Sequence, residues 1–519
     1  MQRQDYPRPD AVRPRIRTLN GDWQFLAGAP KAGEEFSAAF DSVIRVPFPP
    51  GSRLSGVEKG YPEVSYRLSF PLSAFECSGS VILNFLGIDG AFAVYLNGTL
   101  LRSGIGKSSL HFDISALVHP GENVLTVFSA ASPATRGVTG DVWLEFAAKS
   151  YFSFIRPNAV YNAKAIYIQG SIAGENEGYK ILAEVALDGK QIFRREYKAL
   201  PSFTLHLPLE RLPDMWNAGH PALYDIRLTL LTPSGGMADM IYTYAAFREI
   251  DVLDGKLYVN GRRTFLECVL DPMYYPDGIC VPPNSGRIAS DLAAASALGF
   301  NAVRFSSYPT PRHLYIMDKL GLFSVITLPD YKAGDGEYRS LILRDYGHPS
   351  IIMWEPVPEK DGAAAQKEIY ADLRAVDPKR LVNFAFSDRI YSGDIYTFYC
   401  SVSEIPLYLS LRFNRHPLSE REETRLKKTD PAVPGAEKLR AMPAYYTPIR
   451  AALEKGDLVK EARYFEEYAA LIGALRDSAS GMELDSLYDT DISSDGLMDA
   501  NRDFKISLAA LKNIVKGKQ

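Results

Sequence analysis

The chain has 519 residues, with 58 Lys and Arg against 62 Asp and Glu, a formal net charge of -4, and 46% hydrophobic and 23% charged residues. At roughly 150 residues per domain, that length calls for about three to four folding units. The balance excludes intrinsic disorder, collagen-like repeats and a membrane bundle, and the charge leaves no basic field for nucleic acid.

The opening stretch MQRQDYPRPDAVRPRIRTLNGDW interrupts every apolar run with charge or proline, so it reads as no secretory signal. Nothing later approaches the roughly 18 to 20 apolar residues of a membrane span. A soluble, cytoplasmic protein without a membrane partner is expected. Cys77, Cys268, Cys280 and Cys400 stand at wide spacings with no CxxC, which argues for buried thiols over a zinc ribbon or a disulfide scaffold. The seven histidines are scattered without ligand spacing, so no metal or other cofactor is expected.

From about 15 to 147, short runs such as VSYRLSF, SVILNFLGI, AFAVYLNGT and DVWLEF alternate with period two between Gly, Pro, Asn and Asp turns. Their aromatic and β-branched content predicts an antiparallel sandwich of the jelly-roll kind over 1–147. Asn97-Gly98 predicts a type I′ hairpin. KAIYIQGSI, KILAEVALDGK, SFTLHLPL and LYDIRLTLL predict a second, immunoglobulin-like sandwich over 148–249.

After about 250 the pattern changes. VNGRRTFLECVL, NAVRFSS, FSVITLP and SIIMWEP read as strands, alternating with the helices IASDLAAASALGF, RHLYIMDKLGL and AAAQKEIYADLRAV. Such βα alternation over some 270 residues predicts one (β/α)₈ barrel over 250–519, with chemistry where strands end and loops begin. The charged, proline-bearing stretch 405–441 reads as a solvated loop over the barrel mouth, with a binding lid as the other reading.

Several strings, in order, resemble glycoside hydrolase family 2, the family of β-galactosidases, β-glucuronidases and β-mannosidases. They are LNGDWQF around Trp23, VPFPPG, GIDGAFAVYLNG, FDIS at Asp113, GENVLTV at Asn123 and DVWLE at Trp143. MWNAGHPALYDIRLTLL and FREID follow, with Trp216, Pro221, Tyr224, Phe247 and Arg248. LYVNGRRTFLECV, LGFNAVRFSSYP, MDKLGL, RDYGHPSIIMW and DPKRLVNF complete the series. The resemblance covers nearly the whole chain. It implies a jelly roll, an immunoglobulin-like module and a barrel, a carbohydrate or glycoside ligand, and no cofactor, and it leaves a homo-oligomer open.

A retaining glycosidase needs two carboxyl groups about 5 to 5.5 Å apart, one as acid/base and one as nucleophile. The resemblance puts Glu359 in the acid/base position, five residues after Trp354, but Pro358 stands where the family has an Asn that binds the sugar's 2-hydroxyl. The nucleophile position falls on Pro448 in MPAYYTPI, and proline carries no carboxylate. Glu454, six residues on, reads as the surface of a helix. Arg304 keeps the family's arginine, Ser307 replaces its histidine, Asp271 falls near where the family often has another histidine, and Asp330 falls where many members have an acidic residue. The closing GMELDSLYD lacks a tryptophan found in many members. Tyr308, Trp354 and Tyr399 fall near strand ends, where rings could cover a sugar. The expectation is carbohydrate binding at the barrel mouth with weakened or lost hydrolysis. The alternative is an active β-glycosidase, with Glu359 as acid/base and an unidentified second carboxylate, for which Glu355, Asp330, Asp388 and Asp394 are candidates.

Overall fold

The computed structural model describes residues 3–30, 36–106, 109–135, 137–253, 256–360, 362–385, 393–400, 444–448, 476, 480–487, 489–490 and 497–502. The 405–441 loop, Asp388 and Glu454 lie outside the described residues. The chain divides into two compact units, one made of 1–213, 223–245 and 274–285, the other of 214–222, 246–273 and 286–519.

The first unit is antiparallel sheet. Ile16–Thr18, Val142–Ala147, Ser80–Phe85 and Leu110–Asp113 form one sheet in that order. Ser42–Val46, Gly21–Ala27, Tyr61–Leu72, Gly121–Thr135, Ala91–Leu96 and Thr99–Ile105 form a six-stranded second. Alternation drives them together: in Gly21–Ala27 the side chains that turn inward are Trp23 and Phe25. They join Tyr66, Leu83, Phe85 and Leu144 in one core drawn from both sheets. Asn97 and Gly98 have φ of +50° and +81°, both positive as a type I′ turn requires.

Two more sheets follow in the same unit, Tyr151–Val160, Ala165–Ala173 and Ser202–Pro208, and Lys190–Lys198, Lys180–Leu187, Tyr224–Leu231 and Met237–Ala245. A strap ahead of the first strand ties the unit together. Val12 exchanges backbone hydrogen bonds with Tyr242 at 2.8 and 2.9 Å, and Phe146 N donates to Arg15 O. Arg13, 6% exposed, reaches both Glu145 and Asp239.

The second unit holds the barrel. Its parallel strands are, in chain order, Leu266–Asp271, Ala302–Phe305, Phe323–Tyr331, Ile351–Pro358, Leu381–Val382, Tyr396–Cys400, Ala444–Pro448 and Gly481–Ser486. They form one eight-stranded sheet, and the bridge between Asn383 and Ile395 joins its two end strands, so the sheet closes on itself. Helices α1 (Ser285–Leu298), α2 (Pro311–Leu320), α3 (Gly336–Asp345) and α4 (Ala363–Val376) connect the first five strands.

Each helix boundary has a local cause. Proline opens α2, where its missing N–H costs nothing, and Asp335 caps α3 by accepting from the N–H groups of Glu337 and Tyr338. Gly321 ends α2 at φ +65°, and a Cβ there would meet Gly219 N at 2.8 Å. The 214–222 segment is held to α2 at this point, since the Trp216 indole N–H donates to Asp318 O at 2.8 Å. The Asp318 carboxylate in turn accepts from Ser350 N and meets His348 Nδ1 at 2.7 Å, which gives the GHPS string a structural role.

The structure differs from sequence expectation at the cysteines. Cys268 is buried in the first barrel strand, but Cys77 and Cys280 are only half-buried.

Candidate functional site

Register decides which side chains enter the barrel. Leu270 pairs with Arg304, Arg304 with Val325, Val325 with Met353, and Met353 with Leu381, forming one layer. Partners in a parallel ladder point to the same face, and alternation returns every second residue to it. Two residues further towards the carboxyl ends, Thr327 pairs with Glu355, and Asn383 follows on the next strand. Arg304, Thr327, Glu355, Asn383 and Glu483 thus gather inside.

Their contacts form one network. Arg304 donates through Nε and Nη2 to both oxygens of Glu483, at 2.6 and 2.5 Å. Its Nε lies 3.8 Å from Glu355 Oε2, and Asn383 Nδ2 donates to Glu355 Oε1 at 2.8 Å. Both carboxyl groups lie against one guanidinium, so Glu355 Oε2 and Glu483 Oε2 are separated by no more than the sum of their distances to Nε. That limit, 6.4 Å, admits the roughly 5 to 5.5 Å of retaining pairs. Glu355 and Asn383 are fully buried, and Thr327, Glu483 and Arg304 are at most 8% exposed. Glu355 Oε2 and Thr327 Oγ1 accept and donate no hydrogen bond among the described residues.

Burial pushes the Glu355 carboxyl up to about 7. Arg304 pulls it back, the negative charge of Glu483 raises it further, and the Asn383 hydrogen bond lowers it. At neutral pH the Glu355 carboxyl therefore keeps a proton part of the time, beside the Arg304–Glu483 pair.

The residues named from sequence are dispersed around this network. Arg304 is inside it. Glu359 lies just past the fourth strand, where its N–H donates to Tyr331 O; its side chain is 47% exposed and pairs with Lys332 at 3.0 Å. Asp330 is exposed, with φ +53° at an irregularity in the pairing of the third and fourth strands. Asp271 is 1% exposed and accepts from Met273 N at 2.7 Å, while Ser307 donates to Met273 Sδ at 3.4 Å.

Trp354 is fully buried in register with Ile326 and Val382, one residue out of phase with Glu355. That phase turns it to the outer face, where its indole N–H donates to Asp377 beyond α4. Tyr308 stacks on it at 6.4 Å and lies 5.8 Å from the Arg344 guanidinium. Tyr399 and Pro448 are in the sixth and seventh strands, paired in neighbouring positions of the ladder. Asp394 is engaged at the fifth strand, accepting from Val382 N and from the Tyr370 hydroxyl.

Glu483 was not singled out from the sequence, although a signal was there. Arg304 and Glu355 each interrupt an apolar strand, and charges in buried strands need partners of opposite sign, which directs attention to acidic strands such as GMELDS. Among the described residues no group of three or more His, Cys, Asp or Glu is arranged to hold a metal ion, and no helix is long and apolar enough to cross a membrane.

Comparisons with known proteins agree with this architecture. The family model for the TIM barrel domain of family 2 glycosyl hydrolases matches residues 332–433. A β-galactosidase of Enterobacter cloacae is 24% identical over 446 residues, covering 73% of this chain and 43% of the relative. The β-galactosidase of Kluyveromyces lactis is 24% identical over 445 residues, covering 70% and 42%. The chain thus spans about two-fifths of the length of these curated relatives. Among solved structures, a β-glucuronidase of an uncultured Clostridium species superposes with a TM-score of 0.75 at 15% identity, covering 97% of this chain and 98% of its own. The β-glucuronidase of Bifidobacterium dentium complexed with coumarin-3-O-glucuronide gives 0.76 at 17% identity, covering 98% and 97%. With the ordered strings and the closed parallel sheet, these matches support a divergent relative of glycoside hydrolase family 2, whose barrel-domain model matches residues 332–433.

Proposed function

We propose that the chain binds carbohydrate, as a β-glycoside, at the carboxyl-terminal mouth of its barrel, and that hydrolysis there is weakened or lost. In this reading, 1–147 is a jelly-roll sugar-binding-like domain, 148–249 an immunoglobulin-like sandwich and 250–519 the catalytic-like barrel. The observation that carries it is the setting of Glu359, the carboxylate in the acid/base position. It stands half in solvent against Lys332, without the enclosure that a glycosidase acid uses, and the expected second carboxylate is Pro448.

Removing a nucleophile costs up to about 10⁶ in kcat. Chromogenic β-galactoside, β-glucuronide, β-mannoside and β-glucoside should therefore be released at rates close to background, while non-hydrolysable thioglycosides still bind. Rapid turnover that disappears in Glu359→Gln overturns the reading in favour of a conventional family mechanism.

One observation favours a second reading, an active but rewired β-glycosidase. Glu355 and Glu483 meet across Arg304, and the carboxyl of Glu355 is pushed up to about 7. Turnover that survives Glu359→Gln and disappears in Glu355→Gln would select it.

A further inference from the structure

Among the described residues, two polar atoms of the barrel interior are without hydrogen bonds. Glu355 Oε2 and Thr327 Oγ1 are both buried, lie on adjacent strands and pair in register. Stranding a buried polar atom costs about 1 to 3 kcal/mol, so such atoms call for a partner from outside the chain. They are set at the carboxyl-terminal side of the Arg304 layer, where the second strand has ended at Phe305 and the fifth at Val382. Barrel ligands bind on that side.

The charge of the seat restricts what fits. Among the described residues, Arg304 is the cation facing these atoms, and both its Nε and Nη2 are directed at Glu483. From the third strand comes neutral Thr327, and from the end of the fifth comes the neutral amide of Asn383, whose donor is on Glu355. The inward side chains described therefore sum to zero when Glu355 carries its proton and to minus one when it does not. A ligand hydroxyl can meet either form, accepting from the acid or donating to the carboxylate. A ligand carboxylate meets no uncommitted cation among them, and would sit beside Glu483 and Glu355.

Resting on the carbohydrate-binding reading above, we propose that Glu355 and Thr327, backed by the Arg304–Glu483 pair, form a hydroxyl-binding seat that selects neutral sugars and rejects uronic acids. The preference widens as pH rises, because Glu355 ionises through about pH 7 while the uronate is charged throughout. This separates the chain from the β-glucuronidases it superposes on.

The test uses the full chain and calorimetric titration with phenyl β-thiogalactoside, phenyl β-thioglucoside and phenyl β-thioglucuronide at pH 6 and pH 8. The expected result is at least tenfold weaker binding of the glucuronide than of the better neutral sugar at pH 6, with a larger ratio at pH 8. Glu355→Gln should make that ratio independent of pH, and Thr327→Val should weaken the neutral sugars severalfold while circular dichroism stays unchanged. Glucuronide binding as tight as that of the neutral sugars overturns the selectivity and leaves carbohydrate binding standing. Neutral-sugar binding unaltered in both variants overturns the seat. Failure of all three thioglycosides to bind overturns this proposal together with the carbohydrate-binding reading.

Discussion

Arg13 in the β-rich unit and Arg304 in the barrel each lie buried against two acidic side chains, Glu145 with Asp239 and Glu483 with Glu355. Around Arg13 every carboxylate oxygen has a donor. Glu145 accepts from Arg13, from the Tyr6 hydroxyl at 3.0 Å and from the Trp143 indole at 2.9 Å. Asp239 accepts from Arg13 and from the backbone of Phe152 and Met240. Burial raises the Glu145 carboxyl, but Arg13 and these hydrogen bonds more than offset it and leave it below the ordinary carboxylate value. Around Arg304 one oxygen is left over, and its carboxyl moves the opposite way. Equal charge inventories thus separate by saturation: the Arg13 cluster is complete, and among the described residues the Arg304 cluster leaves one carboxyl oxygen without a hydrogen-bond donor.

The contrast can be broken most sharply at the arginines. Arg13→Met strands two buried carboxylates and should destabilise the chain by about 3–5 kcal/mol in urea unfolding. Arg304→Met should cost less, because Glu355 already shares a proton at neutral pH. An equal or larger loss at Arg304 would show that the two clusters do the same work.

The next effect is one of pH. Between the unfolded value of 4.5 and the folded value of about 7, the native state keeps a proton on Glu355 that the unfolded chain has released. The stability this provides is full below about pH 4.5 and is lost as pH rises through about 7, a decline on the order of 1–3 kcal/mol. Glu355→Gln should lack this decline when urea midpoints are compared at pH 5, 6, 7 and 8. A variant with the wild-type slope would assign the titration elsewhere.

The smallest effect belongs to the exposed pair. Lys332→Met removes the partner of Glu359 and should shift stability by less than about 1 kcal/mol. A larger loss would mean that Glu359 is held more firmly than its exposure indicates.

Much of the fold was legible because burial writes itself into period. Trp23 and Phe25 alternate with polar neighbours as a one-sided strand must, and AAAQKEIYADLRAV matches α4 from Ala363 to Val376. That Glu359 stands at the carboxyl end of the fourth strand was legible from the apolar run before it. Phase was not. Barrel strands are apolar on both faces, so nothing in IIMWEPV says that Glu355 turns inward and Trp354 outward. Nor could spacing reveal that Glu483, 179 residues from Arg304, closes the network.

The strap that carries Arg13 has a practical consequence. The residue spanning Glu145 and Asp239 precedes the first strand, so a protease nick between Arg13 and Ile16 would leave every sheet of that unit intact while severing its clasp from the strand it leads into. Fusion partners and affinity tags placed ahead of Tyr6 accordingly need a spacer long enough to spare the clasp.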